Sequence, residues 1–161
     1  MRVIYMKLSL VVPCYNEADN VAAFQEATIA AFNSCDFDYE IVFVDDGSRD
    51  ATLFQLKKLF TEQKCPVKVV SFSRNFGKEA AIYAGLKETT GEYITLIDAD
   101  LQQRPEIVRD MVKILDNQPE YDLVAAYQDR RGESKILSFF KKVFLQNYQL
   151  SFRCKSACRC H

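Results

Sequence analysis

The run Tyr39-Glu40-Ile41-Val42-Phe43-Val44-Asp45-Asp46-Gly47-Ser48-Arg49-Asp50 sets the architecture of this chain. Its apolar, β-branched first half reads as a buried strand, and Asp-Gly marks a turn. Beyond it Leu53, Leu56, Leu59 and Phe60 predict a helix over about 50–63. The same alternation recurs on either side. Strands are expected at Leu8–Val12, closed by Pro13, and at Val67–Phe72, Glu92–Ile97 and Leu123–Tyr127. Helices are expected from Glu17 to Asn33, with Asn16 as N-cap, from Lys78 to Thr89, from Pro105 onward, and from Ser134 to Tyr148. Five strand–helix units imply an α/β fold with a mostly parallel sheet covered on both faces. In such sheets ligands bind beyond the carboxyl ends of the strands, here after residues 12, 44, 72, 97 and 127.

Composition narrows the chemistry. The chain has 161 residues, 48% hydrophobic and 27% charged, with 5 Gly and 4 Pro, enough apolar material for one ordinary domain. Its single histidine, His161, is the last residue, which argues against Ser-His-Asp or Cys-His hydrolysis and histidine-ligated zinc catalysis. Catalysis therefore falls to carboxylates, Lys/Arg, hydroxyls, amides or a metal held by oxygen. Lys135 to His161 carry 6 basic residues and no acidic one, leaving 15 basic against 22 acidic before them, a balance of −7. An acidic body is a poor nucleic-acid binder, whereas a basic, apolar tail suits an anionic membrane surface. The division expected is a domain over 1–134 and a basic amphipathic helix with an irregular tail over 135–161. Cys14, Cys35 and Cys65 read as reduced thiols. Cys154, Cys158 and Cys160 with His161 lack the paired spacing of a structural zinc site. No secretory leader is evident, and no apolar run reaches the ~20 residues of a membrane-spanning helix.

The strand ends hold the polar residues. Pro13-Cys14-Tyr15-Asn16-Glu17 lacks the glycines of a dinucleotide turn, and the chain has no phosphate-binding P-loop. Asp45 and Asp46 are adjacent like charges that a base N–H and a ribose hydroxyl would use, while Ser48 and Asp50 read as turn and capping residues. Gly77 lets the chain turn into a helix whose start, flanked by Arg74 and Lys78, favours anions. After the fourth strand comes Asp98-Ala99-Asp100-Leu101-Gln102. In extended chain, residues two apart share a side, so Asp98 and Asp100 converge and call for a cation. Oxygen donors, including the Gln102 amide, suit Mg²⁺ or Mn²⁺, which would bind a diphosphate; Ala99 leaves room for a bulky ligand.

Taken in order, Val11-Val-Pro-Cys-Tyr-Asn-Glu17, Val44-Asp-Asp-Gly-Ser-Arg-Asp50, Ser73-Arg-Asn-Phe-Gly-Lys-Glu-Ala-Ala81, Asp98-Ala-Asp-Leu-Gln102 and Arg130-Arg-Gly-Glu-Ser134 resemble inverting glycosyltransferases of family 2 with the GT-A fold. The likeness is greatest to the polyprenyl-phosphate branch, the bactoprenol glucosyltransferases and dolichol-phosphate mannose synthases, and spans about 6–148. It implies that Pro13, Tyr15, Glu17 and Asp45 or Asp46 hold the nucleoside of a UDP- or GDP-sugar, with Ala99 and Lys78 near the donor. It further implies Mg²⁺ or Mn²⁺ on Asp98, Asp100 and Gln102, and phosphate contacts from Arg130 and Arg131. The family's arginine pair is usually spaced three apart, and Tyr127 fills its first slot here. Members of this branch extend further, into C-terminal transmembrane helices. The pattern fades here after Tyr148, as in a shortened chain, so an inert nucleotide-sugar-binding remnant is the alternative reading.

The acceptor class also has a physical argument. A sugar hydroxyl needs a general base, and no Glu-Asp motif follows residue 102. A polyprenyl phosphate, with a second pKa of about 6, is already ionised at neutral pH. Ile136, Leu137, Phe140, Val143, Phe144 and Tyr148 form an apolar stripe flanked by Lys135, Lys141 and Lys142. Such a helix would rest on a membrane, placing the protein in the cytoplasm at the inner membrane face, or pack on its own sheet. Two rival enzyme classes fit poorly. Sugar nucleotidyltransferases want a glycine-rich first loop, and haloacid-dehalogenase-type phosphatases carry Asp-x-Asp on the first strand, followed by Thr or Val.

Overall fold

The structure, a computed structural model, describes residues 6–126. The elements are β1 (Met6–Cys14), α1 (Val21–Phe32), β2 (Asp38–Asp45), α2 (Thr52–Glu62), β3 (Val67–Ser71), α3 (Lys78–Glu88), β4 (Tyr93–Leu96) and α4 (Pro105–Asn117). All pairings are parallel and the order is β3-β2-β1-β4. The order reverses at β1, whose carboxyl end is therefore the crevice of the fold.

Burial explains the uninterrupted apolar runs. Leu10, Val11 and Val12 of β1 and Ile41, Val42, Phe43 and Val44 of β2 are fully buried, because both faces of these central strands are covered. On one face, Leu10, Val12, Ile41 and Phe43 pack with Phe24 of α1, Leu56 of α2 and Val108 and Val112 of α4. On the other, Val11, Val42 and Val44 meet Ala81 of α3. Gly85 lets α3 lie close to the sheet: a Cβ there would stand 2.5 Å from Val11 Cγ1 and 3.1 Å from Val44 Cγ2.

Pro13 does not close β1, which runs on to Cys14. The Val11 carbonyl accepts from Ile97 N–H on the β4 side, and the Cys14 carbonyl accepts from Asp46 N–H on the β2 side. The Pro13 nitrogen thus falls on the β4 side, where β4 has already ended, and no ladder bond is lost.

Three other expectations need correction. Helix α1 starts at Val21, and Asn16 does not cap it. Asn16 takes a left-handed φ of 57°, which asparagine tolerates, and its side-chain oxygen accepts from Arg49 N–H instead. Leu123 to Ala126 do not form the expected fifth strand: no strand among the described residues pairs with them, and Leu123 is 83% exposed. Tyr127 and the helix expected at 134–148 lie outside the described residues, as do Arg130 and Arg131. Among the described residues, no helix is long and apolar enough to cross a membrane.

Candidate functional site

A cleft of about 320 Å³ opens at the carboxyl end of the sheet, between the ends of β1 and β4 and the start of α3. Pro13, Cys14, Tyr15 and Glu17 form one wall, Asn75, Gly77, Lys78 and Ala81 another, and Asp98, Ala99 and Asp100 a third, with Asp46 between them. Of the residues singled out in the sequence, Pro13, Tyr15, Glu17, Asp46, Lys78, Asp98, Ala99 and Asp100 come together here. Asp45 and Gln102 do not line the cleft. Cys14, Asn75, Gly77 and Ala81 do. All four stood inside motifs quoted from the sequence, but none of them had been assigned a contact with a ligand.

The walls are held by hydrogen bonds between loops that are distant in sequence. Asn16 N–H donates to Ser48 Oγ at 3.0 Å, Glu17 N–H to Thr52 Oγ1 at 2.8 Å, and Ala18 N–H to Asp50 at 3.2 Å. Desolvation works against the ionised Asp50, but the Thr52 hydroxyl and amide and the Ala18 amide outweigh it and hold its carboxyl below the usual range. Gly47 takes φ 66°, and a Cβ on it would stand 2.3 Å from the backbone carbon of Arg74. The loops after β2 and β3 therefore touch backbone to backbone.

Asp45 and Asp46 are both buried, and both carboxylates have partners within the protein. Asp45 accepts from Ser48 N–H at 3.1 Å and from Ser71 Oγ at 3.1 Å. Asp46 accepts from Phe76 N–H at 2.7 Å and Gly77 N–H at 3.0 Å, pinning the entry to α3. These donors explain how adjacent like charges persist under cover. Phe76 is half exposed, with Arg74 stacked 4.6 Å from its ring centroid.

The Asp-Ala-Asp segment leaves the sheet after Leu96 and turns at Ala99 and Asp100. The two carboxylates reach one cleft through this turn and not through an extended strand. Leu101 takes φ 58° while packing on the core, which fixes the turn in place. Asp98 accepts from Lys78 Nζ at 2.6 Å. One oxygen of Asp100 accepts from Gln102 N–H at 3.0 Å, and the other has no partner among the described residues. Burial pushes the Cys14 thiol up, with Glu17, Asp45 and Asp98 adding to the effect.

Among the described residues, no three His, Cys, Asp or Glu side chains gather closely enough to hold a metal unaided. The donors present are nonetheless the right kind. Two carboxylates open on a cleft with a partly exposed Asp98 match Mg²⁺ or Mn²⁺, which take few protein oxygens and fill the remaining positions from phosphate and water. Among the described residues, four carboxylates and one ammonium line the cleft, a balance that a divalent cation would shift toward an anionic diphosphate.

The sequence profile described as Glycosyl transferase family 2 matches residues 9–158. The chain belongs to this family. Among curated relatives of this family 2 chain, the dodecaprenyl-phosphate galacturonate synthase of Rhizobium johnstonii is 36% identical over 132 residues, which are 82% of the chain and 39% of the relative. Of solved structures, Staphylococcus aureus TarS 1–349 in complex with UDP superposes with a TM-score of 0.64 at 27% identity, covering 81% of this chain and 38% of that one. The mannosyltransferase PcManGT of Pyrobaculum calidifontis, in complex with GDP-Man and Mn²⁺, gives a TM-score of 0.58 at 26% identity over 70% of this chain and 33% of that one. The fold is that of the GT-A glycosyltransferases. The chain spans about two fifths of the length of the curated relatives it matches.

Proposed function

We propose that this family 2 chain is the donor-binding GT-A part of an inverting glycosyltransferase, which moves a sugar from a UDP- or GDP-sugar to a polyprenyl phosphate with Mg²⁺ or Mn²⁺. One observation carries the reading: Asp98, Asp100 and Lys78 open on one cleft at the point where the strand order reverses. The names of the relatives, prenyl-phosphate sugar transfer among them, support the acceptor class.

Each wall has a task in this reading. Pro13, Tyr15, Glu17 and Asp46 receive the nucleoside, with Asp45 holding the loop behind them. Asp98 and Asp100 would hold the divalent ion, which when bound supplies positive charge for the leaving nucleotide, and Gln102, off the cleft wall, would orient Asp100 through its backbone N–H. Lys78 is the ammonium nearest the diphosphate and Ala99 leaves the space beside it. Arg130 and Arg131 meet phosphate, as bidentate donors do well. An ionised phosphate acceptor attacks the anomeric carbon opposite the departing nucleotide. The configuration inverts, and no general base is required. Residues 1–134 would make up the catalytic domain, and 135–161 would contact the inner face of the membrane, where a lipid-borne acceptor is presented.

Calorimetry of UDP and GDP against the 161-residue chain, with and without Mn²⁺, tests this directly. Binding is expected to need the metal and to fall at least tenfold in Asp100→Ala. Equal, metal-independent binding by both proteins rejects the metal assignment. Binding without sugar transfer to polyprenyl phosphate in liposomes, across several donors, favours an inert nucleotide-sugar binder.

A further inference from the structure

We propose that Lys78 serves Asp98 as a built-in counter-cation, occupying the metal-ligating carboxylate until the diphosphate of the donor draws it away. The proposal rests on the donor-binding reading above and adds a coupling between two ligands of that site.

The ion pair is singular in its place. Seven ion pairs join the described residues, and only Lys78–Asp98 has both members on the cleft wall. Its 2.6 Å separation bridges α3 and the turn after β4, residues 20 apart in sequence. Among the described residues Lys78 is the only cation on the cleft wall, so without the pair no described positive charge would offset Asp98 beside Asp100.

The two ends of Lys78 differ in freedom. Its backbone is the first residue of α3, and the amides just before it are clamped by the buried Asp46 carboxylate. Its side chain is 57% exposed on a flexible four-carbon stem. An exposed pair of this kind is worth less than about fivefold in an equilibrium constant, so a dianionic group nearby displaces it readily. Lys78 therefore opposes metal binding while the cleft lacks nucleotide, and favours the diphosphate once it arrives. By reciprocity, nucleotide binding raises metal affinity at Asp98 beyond what the shared diphosphate oxygens provide.

The test measures Mn²⁺ binding by electron paramagnetic resonance, first with Mn²⁺ alone and then with UDP or GDP added, on the wild-type chain, Lys78→Met and Lys78→Arg. Circular dichroism melts check that each variant folds. With Mn²⁺ alone, Lys78→Met is expected to bind about three- to fivefold tighter than wild type. Lys78→Arg, which keeps the charge, should match wild type. With nucleotide present, Lys78→Met should lose part of the nucleotide-induced gain. Unchanged or weaker Mn²⁺ binding by Lys78→Met in the absence of nucleotide overturns the proposal and leaves Lys78 as a plain diphosphate contact. So does the absence of Mn²⁺ binding in all three proteins. Tighter Mn²⁺ binding by Lys78→Met together with no nucleotide binding to any of the proteins upholds the counter-cation and sinks the donor-binding reading.

Discussion

Ser9 Oγ donates to the Glu40 carboxylate across 2.7 Å, joining β1 to β2 at the end of the sheet remote from the cleft. The same carboxylate accepts from Thr90 N–H at 2.7 Å and Thr90 Oγ1 at 2.9 Å, and Lys68 Nζ lies 2.9 Å away. Desolvation alone would raise the Glu40 pKa, but these donors outweigh it and hold the group below its ordinary 4.5. A depressed carboxylate pKa stabilises the fold above the unfolded value and loses that contribution as pH falls through the folded one. Glu40→Ala is expected to cost about 2–4 kcal/mol in urea unfolding at pH 7. The gap between the two proteins should narrow as the pH drops below 4.5. A gap independent of pH would assign the loss to packing.

Gly85 is expected to resist substitution despite lying in a helix. Alanine would gain about 1 kcal/mol of helix propensity but drive its methyl into Val11, a stiff and fully buried neighbour. Overpacking at such a site costs about 1–3 kcal/mol, so Gly85→Ala should be net destabilising. The double variant Gly85→Ala/Val11→Ala should recover part of the loss, read as a favourable coupling in a double-mutant cycle. Simple additivity would remove the steric explanation.

Asp46→Asn tests the clamp on the entry to α3. An amide keeps one acceptor but turns an NH₂ toward an N–H donor, so one of the two bonds to Phe76 and Gly77 is lost. Hydrogen exchange at those amides should speed up about tenfold or more, since a charge-assisted bond is worth about 1.5–3 kcal/mol. Nucleotide affinity should fall with it. Unchanged exchange combined with weaker nucleotide binding would make Asp46 a ligand contact alone.

Cys14 lines the cleft yet should be chemically quiet. Its thiol is buried, donates toward the Val12 carbonyl, and is held above the usual cysteine range by desolvation. At pH 8 a disulfide reagent is expected to label Cys14 at least tenfold more slowly in the native chain than after unfolding. Equal rates would show that the wall around it opens freely.

Much of this architecture could be read from local pattern. The runs Leu10–Val12 and Ile41–Val44 became parallel strands because β-branched and apolar residues without polar interruption fit a sheet covered on both faces. Pro105 marked the first turn of α4 because its missing N–H is idle there. The failures share one cause, which is contact between residues far apart. Leu123 to Ala126 have the apolar character of a strand but no partner edge among the described residues. Asn16 resembles an N-cap, yet its side chain answers Arg49 across 33 positions. The site followed the same division. The Asp98–Asp100 spacing pointed to a shared cleft, although a turn brings them there. Nothing in the sequence disclosed that Asp46 would clamp the start of α3 or that Lys78 would pair with Asp98, since both depend on how the loops meet.

The abutment of Gly47 on the main chain of Arg74 restricts how this cleft can be remade. Neither loop has slack, so lengthening or swapping one alone forces the other out of position. Exchange of donor specificity with a relative would therefore have to carry the segments 45–50 and 72–77 over as a matched pair.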